Sequence, residues 1–374
     1  MVSGSERIRV TYGVTAPASE IQARALAIAL EQTVELPERL VPRGYIRDEV
    51  VGHIEHISER APGVHEVTLS YLVEAAGGEL TQLLNLLFGN SSLQPGVRVL
   101  DVRLPESFLR QFRGPRFGMR GLRDFLGVPT GPLVQTALKP MGLSPGELAE
   151  MAYQLALGGI DIIKDDHGLT NQSWAPFEAR VSACAAAVER ANRETGRRAV
   201  YAANVTSDFR QLERRVRFAK EAGARALLLG PGLVGFDTLR AIADDDSIAL
   251  PLLSHPTWLG SHVVSPIAGH AHGVLFGLLQ RLAGVDASIY PNFGGRFGFS
   301  QEECQQIASA CLAPMGPLRP CCPTPGGGMR LSNLEAMKAC YGDEVMYLMG
   351  GGLLELSSDL TQASRQLLSA LGRA

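Results

Sequence analysis

A (β/α)₈ (TIM) barrel preceded by an N-terminal α+β, ferredoxin-like domain is the fold this sequence predicts, and three observations carry the prediction. The chain has 374 residues, more than the roughly 250 that such a barrel takes, so a second, smaller domain is expected. From about Pro132 onward, short apolar runs alternate with longer amphipathic segments, and each run closes on Gly, Pro, Asn, Asp or His. That is the rhythm of repeated βα units. The first 120 or so residues carry alternating stretches and two helical ones, the pattern of an antiparallel sheet with helices on one face.

In the first domain the alternating stretches are RIRVTYGV, HEVTLSYLV and GVRVLDVRL, and helical spacing runs from about Ile21 to Glu31 and from Glu79 to Leu87. The segment GPRFGMRGLRDFLGVPTGP follows. Its Gly and Pro content reads as a linker, which sets the expected domains at 1–124 and 125–374. Beyond it, eight runs qualify as strands: GPLVQTALKP, GIDIIKDD, AVYAANVT, ALLLGPG, LPLLSHP, ASIYPN, CCPTPGGG and VMYLMGGG. Eight is the number that closes the barrel. Between them Ser144, followed by Pro145, and Ser300, followed by Glu302 and Glu303, are N-terminal helix signals, because a hydroxyl caps free N–H groups and acidic residues suit the first turn.

A composition of 45% apolar and 20% charged residues belongs to a globular α/β protein and leaves enough apolar surface for a large core. A net charge of −3 with no Lys/Arg run interleaved with aromatics argues against a nucleic-acid partner. No apolar run reaches the roughly eighteen residues of a membrane span, and the N-terminal segment lacks a signal-type apolar stretch. A cytoplasmic protein with no membrane partner is therefore expected. The six cysteines have no paired C-x-x-C spacing and are expected to be reduced and mostly buried.

In such a barrel, catalytic groups come from the C-terminal ends of several strands. Those ends supply Lys139, Lys164 with Asp166 and His167, Asn204, His255, Asn292 with Arg296, and two glycine runs, Gly326-Gly327-Gly328 and Gly350-Gly351-Gly352. The run Lys164-Asp165-Asp166-His167 is the densest. Period-two alternation points Lys164 and Asp166 the same way, and Asp166 suits a hard cation such as Mg²⁺; a solvated turn is the plainer alternative. Lys139, if desolvated, can act as a general base, or it is an ordinary rim lysine. Glycine runs after the seventh and eighth strands fit a phosphate, whose oxygens can approach a backbone without Cβ atoms, or they are tight turns. His255 can donate to a substrate oxygen or serve structure.

Together LKPMGLSP, GGIDIIKDDHG, HPTW, PNFGGRFGFS and the GGGM and MGGG ends, with EQTVELP and LFGN in the first domain, resemble the RuBisCO large subunit, and specifically the RuBisCO-like proteins that do not fix CO₂. The resemblance spans nearly the whole chain. It implies a homodimer with shared active sites, in which Glu31 and Asn90 reach the neighbour's site. It also implies a Mg²⁺ site built on a carbamylated Lys164 with Asp166, His167 standing where the family has a glutamate; imidazole is a poorer ligand than carboxylate for that ion.

Carboxylation is not expected. KPMGLS lacks a lysine of the carboxylase motif, Arg296 stands where the mobile loop has its lysine, and Pro256 follows His255 where the carboxylase has arginine. What remains is proton abstraction beside a ketone, with Lys139 as base, His255, His167 and Arg296 assisting, and the glycine runs holding phosphate. The resemblance then implies isomerisation of a phosphorylated ketose such as 5-methylthioribulose-1-phosphate. Decarboxylation, or transcarboxylation with hydrolysis, of a branched β-keto-acid sugar phosphate of the 3-oxo-isoapionate-4-phosphate type is the second reading. A non-catalytic regulatory or stress-related protein is the third.

Overall fold

The computed structural model describes residues 6–373. Its strands, in chain order, begin with β1 (Arg7–Thr15), β2 (His53–Ala61), β3 (Val64–Leu72) and β4 (Val97–Arg103). They continue with β5 (Leu133–Leu138), β6 (Ile162–Asp165), β7 (Val200–Asn204), β8 (Ala226–Leu229) and β9 (Leu252–Ser254). The last are β10 (Gly269–His270), β11 (Ala287–Pro291), β12 (Cys322–Gly326) and β13 (Met346–Leu348).

The chain divides into two compact units. The first holds residues up to Phe112 with Leu259–Leu275 and Met315–Leu318. In it β4, β1, β3 and β2 pair antiparallel, and β10 joins β4 in parallel. The alternation read from sequence appears as β1, β3 and β4, whose inward residues, such as Val10, Tyr12, Val67, Leu69 and Val99, are buried. β2 was not among the expected strands. It is an edge strand, HIEHISERA, with no fully buried position, and charged residues are what blunt an edge. The helices Ile21–Glu31 and Leu80–Phe88 match the two expected ones, each burying a stripe such as Leu80, Leu83, Leu86 and Leu87.

The second unit holds Arg113–Trp258, Phe276–Pro314 and the chain from Arg319 onward. All eight expected runs form strands, and they close in the order β5-β6-β7-β8-β9-β11-β12-β13 as a parallel barrel. Its interior is packed by alternate residues, among them Leu133, Ile162, Val200, Ala226, Leu253, Ala287, Cys322 and Met346. That alternation continues upward, so β6 brings Lys164 and then Asp166 to the same side as Ile162. Ser144 and Ser300 both form capping boxes, with Glu147 and Glu303.

The seam falls at Phe112/Arg113, twelve residues before the expected boundary, because the presumed linker is structured. Its residues Gly118–Leu126 form a helix whose Met119, Leu122 and Leu126 join the barrel's interior cluster. Glycine here punctuates the helix, Gly118 at φ 62 opening it and Gly127 at φ 71 ending it in the left-handed conformation. Buried Asp286 pins the opening: its Oδ1 accepts the N–H groups of Phe117 and Gly118 at 2.7 and 2.8 Å, and its Oδ2 accepts that of Leu252 at 3.0 Å.

All six cysteines are free, five of them buried. No helix among the described residues is long and apolar enough to cross a membrane.

Candidate active site

Three strand ends of the barrel bring five of the expected residues together. Lys139 follows β5 directly, Lys164 lies on β6 with Asp166 and His167 after it, and His255 follows β9. Lys139 Nζ stands 2.7 Å from Asp166 Oδ1, and His167 Nδ1 stands 3.5 Å from the same oxygen. The imidazoles of His167 and His255 stack, with ring centroids 4.0 Å apart and planes 12° from parallel. His255 Nδ1 accepts the backbone N–H of Thr257 at 3.2 Å, so a neutral His255 carries its proton on Nε2.

Burial and charge set the protonation states. Lys164 is 1% exposed, and burial pulls its ammonium down to about 8, against the attraction of Asp166. For Asp166, burial works upward, but hydrogen bonding by His167 and Lys139 and the charge of Lys164 hold the carboxyl well below the usual range. Burial, then Lys164 and His167, push His255 well below the ordinary histidine value. Lys139 sits one residue beyond its strand, and its side chain is about a third exposed; Lys164 is inside the strand and enclosed.

The two glycine runs abut. Gly326 ends β12, Gly350 follows β13 and Gly351 opens a short helix. A methyl group on Gly352 would stand 2.1 Å from the Met329 carbonyl oxygen, and one on Gly350 would stand 3.9 Å from Lys139 Cε. The cradle therefore lies beside the lysine. Arg296 is exposed, with its guanidinium over the Phe297 ring at 4.9 Å, and its loop rests on the first run, since a methyl on Gly328 would meet Gly295 Cα at 2.5 Å.

The catalytic-domain model of the ribulose bisphosphate carboxylase large chain matches residues 118–297. The chain is 42% identical over 371 residues to the 5-methylthioribulose-1-phosphate isomerase of Rhodospirillum rubrum, spanning 99% of this chain and 97% of that one. The chain belongs to the RuBisCO large-chain family. Within it, this is a non-carboxylating RuBisCO-like protein. The crystal structure of a Rubisco-like protein from Rhodopseudomonas palustris superposes with a TM-score of 0.88 at 38% identity, covering 98% of this chain and 97% of that one. The 2,3-diketo-5-methylthiopentyl-1-phosphate enolase of Geobacillus kaustophilus is 34% identical over 290 residues, 77% of this chain and 70% of that one.

Not every polar residue of the RuBisCO-like mouth faces the site. Asp165 turns into the barrel wall, where Arg180 Nε lies 3.2 Å away, Tyr201 donates its hydroxyl at 2.7 Å and Asn204 its N–H at 3.0 Å. Asn204 Nδ2 also donates to the carbonyl oxygens of His167 and Leu169, at 3.0 and 2.9 Å, and so fixes the loop that presents His167. Arg180 and Tyr201 escaped the sequence reading. Their only trace is a charged and a phenolic residue within otherwise buried stretches. Asn292 accepts the Tyr341 hydroxyl at 2.7 Å. In the first unit, Asn90 Nδ2 donates to Glu31 Oε1 at 2.9 Å, so these two expected residues meet each other.

With Lys164 as an amine, the metal donors reduce to Asp166 and His167, and no trio of His, Cys, Asp or Glu converges among the described residues. A carbamate on Lys164 changes that chemistry. It replaces a cation by anionic oxygens beside Asp166, a pair of hard donors that suits Mg²⁺. The low basicity of the buried amine favours the neutral form that reacts with CO₂.

Two expected results follow from this geometry. Gly328 lies at φ 77 against Gly295, so Gly328→Ala should cost about 1–3 kcal/mol of stability and raise KM for a phosphorylated substrate. Gly351→Ala, which meets nothing within 4 Å, should leave the urea midpoint nearly unchanged. The second concerns pH. Lys164 is held near 8 in the fold against about 10.4 unfolded. Between those values the unfolded chain binds more protons, so Lys164 makes stability rise with pH by up to about 1.4 kcal/mol per unit. In CO₂-free urea titrations, the stability of wild type minus that of Lys164→Met should rise between pH 8 and 10 and stay flat from pH 6 to 7.

Proposed function

We propose that this protein enolises and isomerises a phosphorylated ketose, with 5-methylthioribulose-1-phosphate as the substrate. The observation that carries the reading is the meeting of Lys139, Lys164 and Asp166 beside Gly350. It occurs in a chain 42% identical to the isomerase of Rhodospirillum rubrum. The phosphate lies in the two glycine runs, whose N–H groups can approach its oxygens. The ketone and its neighbouring carbon then stand over Lys139 and Asp166.

Lys139 starts as an ammonium paired with Asp166. Once substrate engages Asp166 and the pair opens, the ammonium gives one proton to solvent, the resulting amine takes the proton from carbon, and the carbonyl oxygen becomes an enediolate oxygen. Return of that proton to the former carbonyl carbon, with the hydroxyl proton passing from its oxygen to the enediolate oxygen, moves the carbonyl along the chain. A positioned base contributes about 10²- to 10⁴-fold. His255, neutral with its proton on Nε2, is a hydrogen-bond donor for a substrate oxygen; His167 stacks against it and holds its place. Arg296 supplies positive charge from the loop over the glycine run.

Carbamylated Lys164 with Asp166, flanked by His167, would hold Mg²⁺, which when bound supplies Lewis-acid stabilisation of the enediolate. A cytoplasmic homodimer in which Glu31 and Asn90 serve the neighbouring site belongs to the same reading, and light scattering on the purified protein tests its dimeric part.

The deciding experiment follows 5-methylthioribulose-1-phosphate in D₂O, with Mg²⁺ and bicarbonate, by phosphorus and proton resonance. Expected are loss of the exchanging C–H signal and a new phosphate resonance without C–C cleavage. No exchange at all, or turnover of 3-oxo-isoapionate-4-phosphate in its place with release of CO₂ or of a two-carbon acid, overturns the reading.

A further inference from the structure

The mouth of the barrel is chemically lopsided. The β12 and β13 side offers abutting glycine runs and, near them, Arg296 and Arg330. On the β8 and β9 side, neither residues 230–235 nor residues 256–258 include a Lys, Arg, Asp or Glu. These two loops themselves bring no cation to a second phosphate.

What stands there is apolar. Leu233 is 54% exposed and Trp258 72% exposed. The two loops share one surface, because a methyl on Gly230 would meet Thr257 Cγ2 at 3.0 Å and Leu233 Cδ1 at 3.5 Å. Trp258 is also held at φ 70, in the left-handed region that bulky residues rarely enter. Strained backbone of this kind persists where the surroundings impose it, and it clusters at ligand clamps. Here it displays an indole just after His255, which stacks on His167 at the reaction centre.

We propose that Trp258, with Leu233 and Thr257, receives the apolar end of a singly phosphorylated substrate whose phosphate lies in the glycine runs. An alkylthio group suits this place, since sulfur and methyl both pack favourably on an aromatic ring. The proposal deepens the isomerase reading and rests on it for the reacting ketone. The discrimination it predicts is that of a hydrophobic subsite, where a small apolar increment is worth roughly 10-fold or more in kcat/KM.

The test compares 5-methylthioribulose-1-phosphate with 5-deoxyribulose-1-phosphate on wild type, Trp258→Gly and Trp258→Phe. Glycine adopts the same φ without strain, so the backbone is kept while the indole is lost. Trp258→Gly should lose about 10-fold in kcat/KM for the methylthio substrate, mostly through KM, and little for the deoxy compound; Trp258→Phe should keep most of the preference. An equal fall on both substrates, or none, overturns the proposal. So does a change of oligomeric state with preference intact, which would assign the indole to an interface.

A second arm separates this proposal from the isomerase reading. Trp174 and Trp258 are the only tryptophans, so Trp174→Phe leaves Trp258 as the sole indole. Its emission should shift with the methylthio sugar phosphate and not with inorganic phosphate. Absence of wild-type turnover would sink the isomerase reading alone, while an emission unmoved by millimolar methylthio compound would sink the subsite.

Discussion

Lys139→Ala should lower kcat for deuterium exchange by about 10²- to 10⁴-fold, the range that removal of a positioned base produces, while leaving the fold intact. Lys139 lies at the rim, and its ion pair to Asp166 is partly open to solvent, so a stability change of no more than about 1 kcal/mol is expected. Lys139→Arg separates the two roles of the side chain. A guanidinium can keep the pair with Asp166 but does not lose its proton in proteins. It should be nearly as inactive as alanine in a single-turnover exchange assay with 5-methylthioribulose-1-phosphate. If Lys139→Arg exchanges at the wild-type rate, the lysine holds charge and does not move protons.

Arg180→Met is expected to destabilise the protein by about 3–5 kcal/mol, the cost of leaving a buried carboxylate without its counter-ion. Arg180 and Asp165 are both fully buried. Burial pushes the Asp165 carboxyl up, while Arg180, Tyr201 and the Asn204 N–H pull it back. Without Arg180 only the two neutral donors remain. The double variant Asp165→Leu with Arg180→Met should recover much of the loss, because replacing a whole buried pair by apolar groups is often neutral. Urea unfolding of wild type and the two variants measures this. A loss under 1 kcal/mol in Arg180→Met would mean that Asp165 is neutral in the fold.

The barrel was legible because each of its strands is an apolar run stopped by a residue that ends pairing, and because polar residues that close such runs gather at one mouth. Lys164 and Asp166 could be placed together by alternation alone. What the sequence hid has physical causes. β2 carries the charged, half-exposed pattern of an edge. The helix from Gly118 to Leu126 is bracketed by glycines that serve as its ends, and composition alone makes them look like a flexible stretch. Burial at the mouth changes within one residue of a strand end, so Lys164 is enclosed while Lys139 keeps about a third of its side chain exposed. The stacking of His167 on His255 joins β6 to β9 across the mouth, and the Asp165, Arg180 and Tyr201 network joins two strands to a helix. Contacts of that kind depend on strand order and helix phase, which local pattern does not carry.

The division of the chain bears on how it can be recombined. The first unit takes not only the residues up to Phe112 but also Leu259–Leu275 and Met315–Leu318, returned to it from within the barrel sequence. The helix Gly118–Leu126, packed into the barrel's interior cluster, lies after the seam. A crossover with a relative at Phe112/Arg113 would therefore leave that helix with its own barrel, yet still mix the two parents within the first unit. An exchange of that unit that preserves its packing must carry three segments together, so inheritance by a single crossover favours the whole chain over either half.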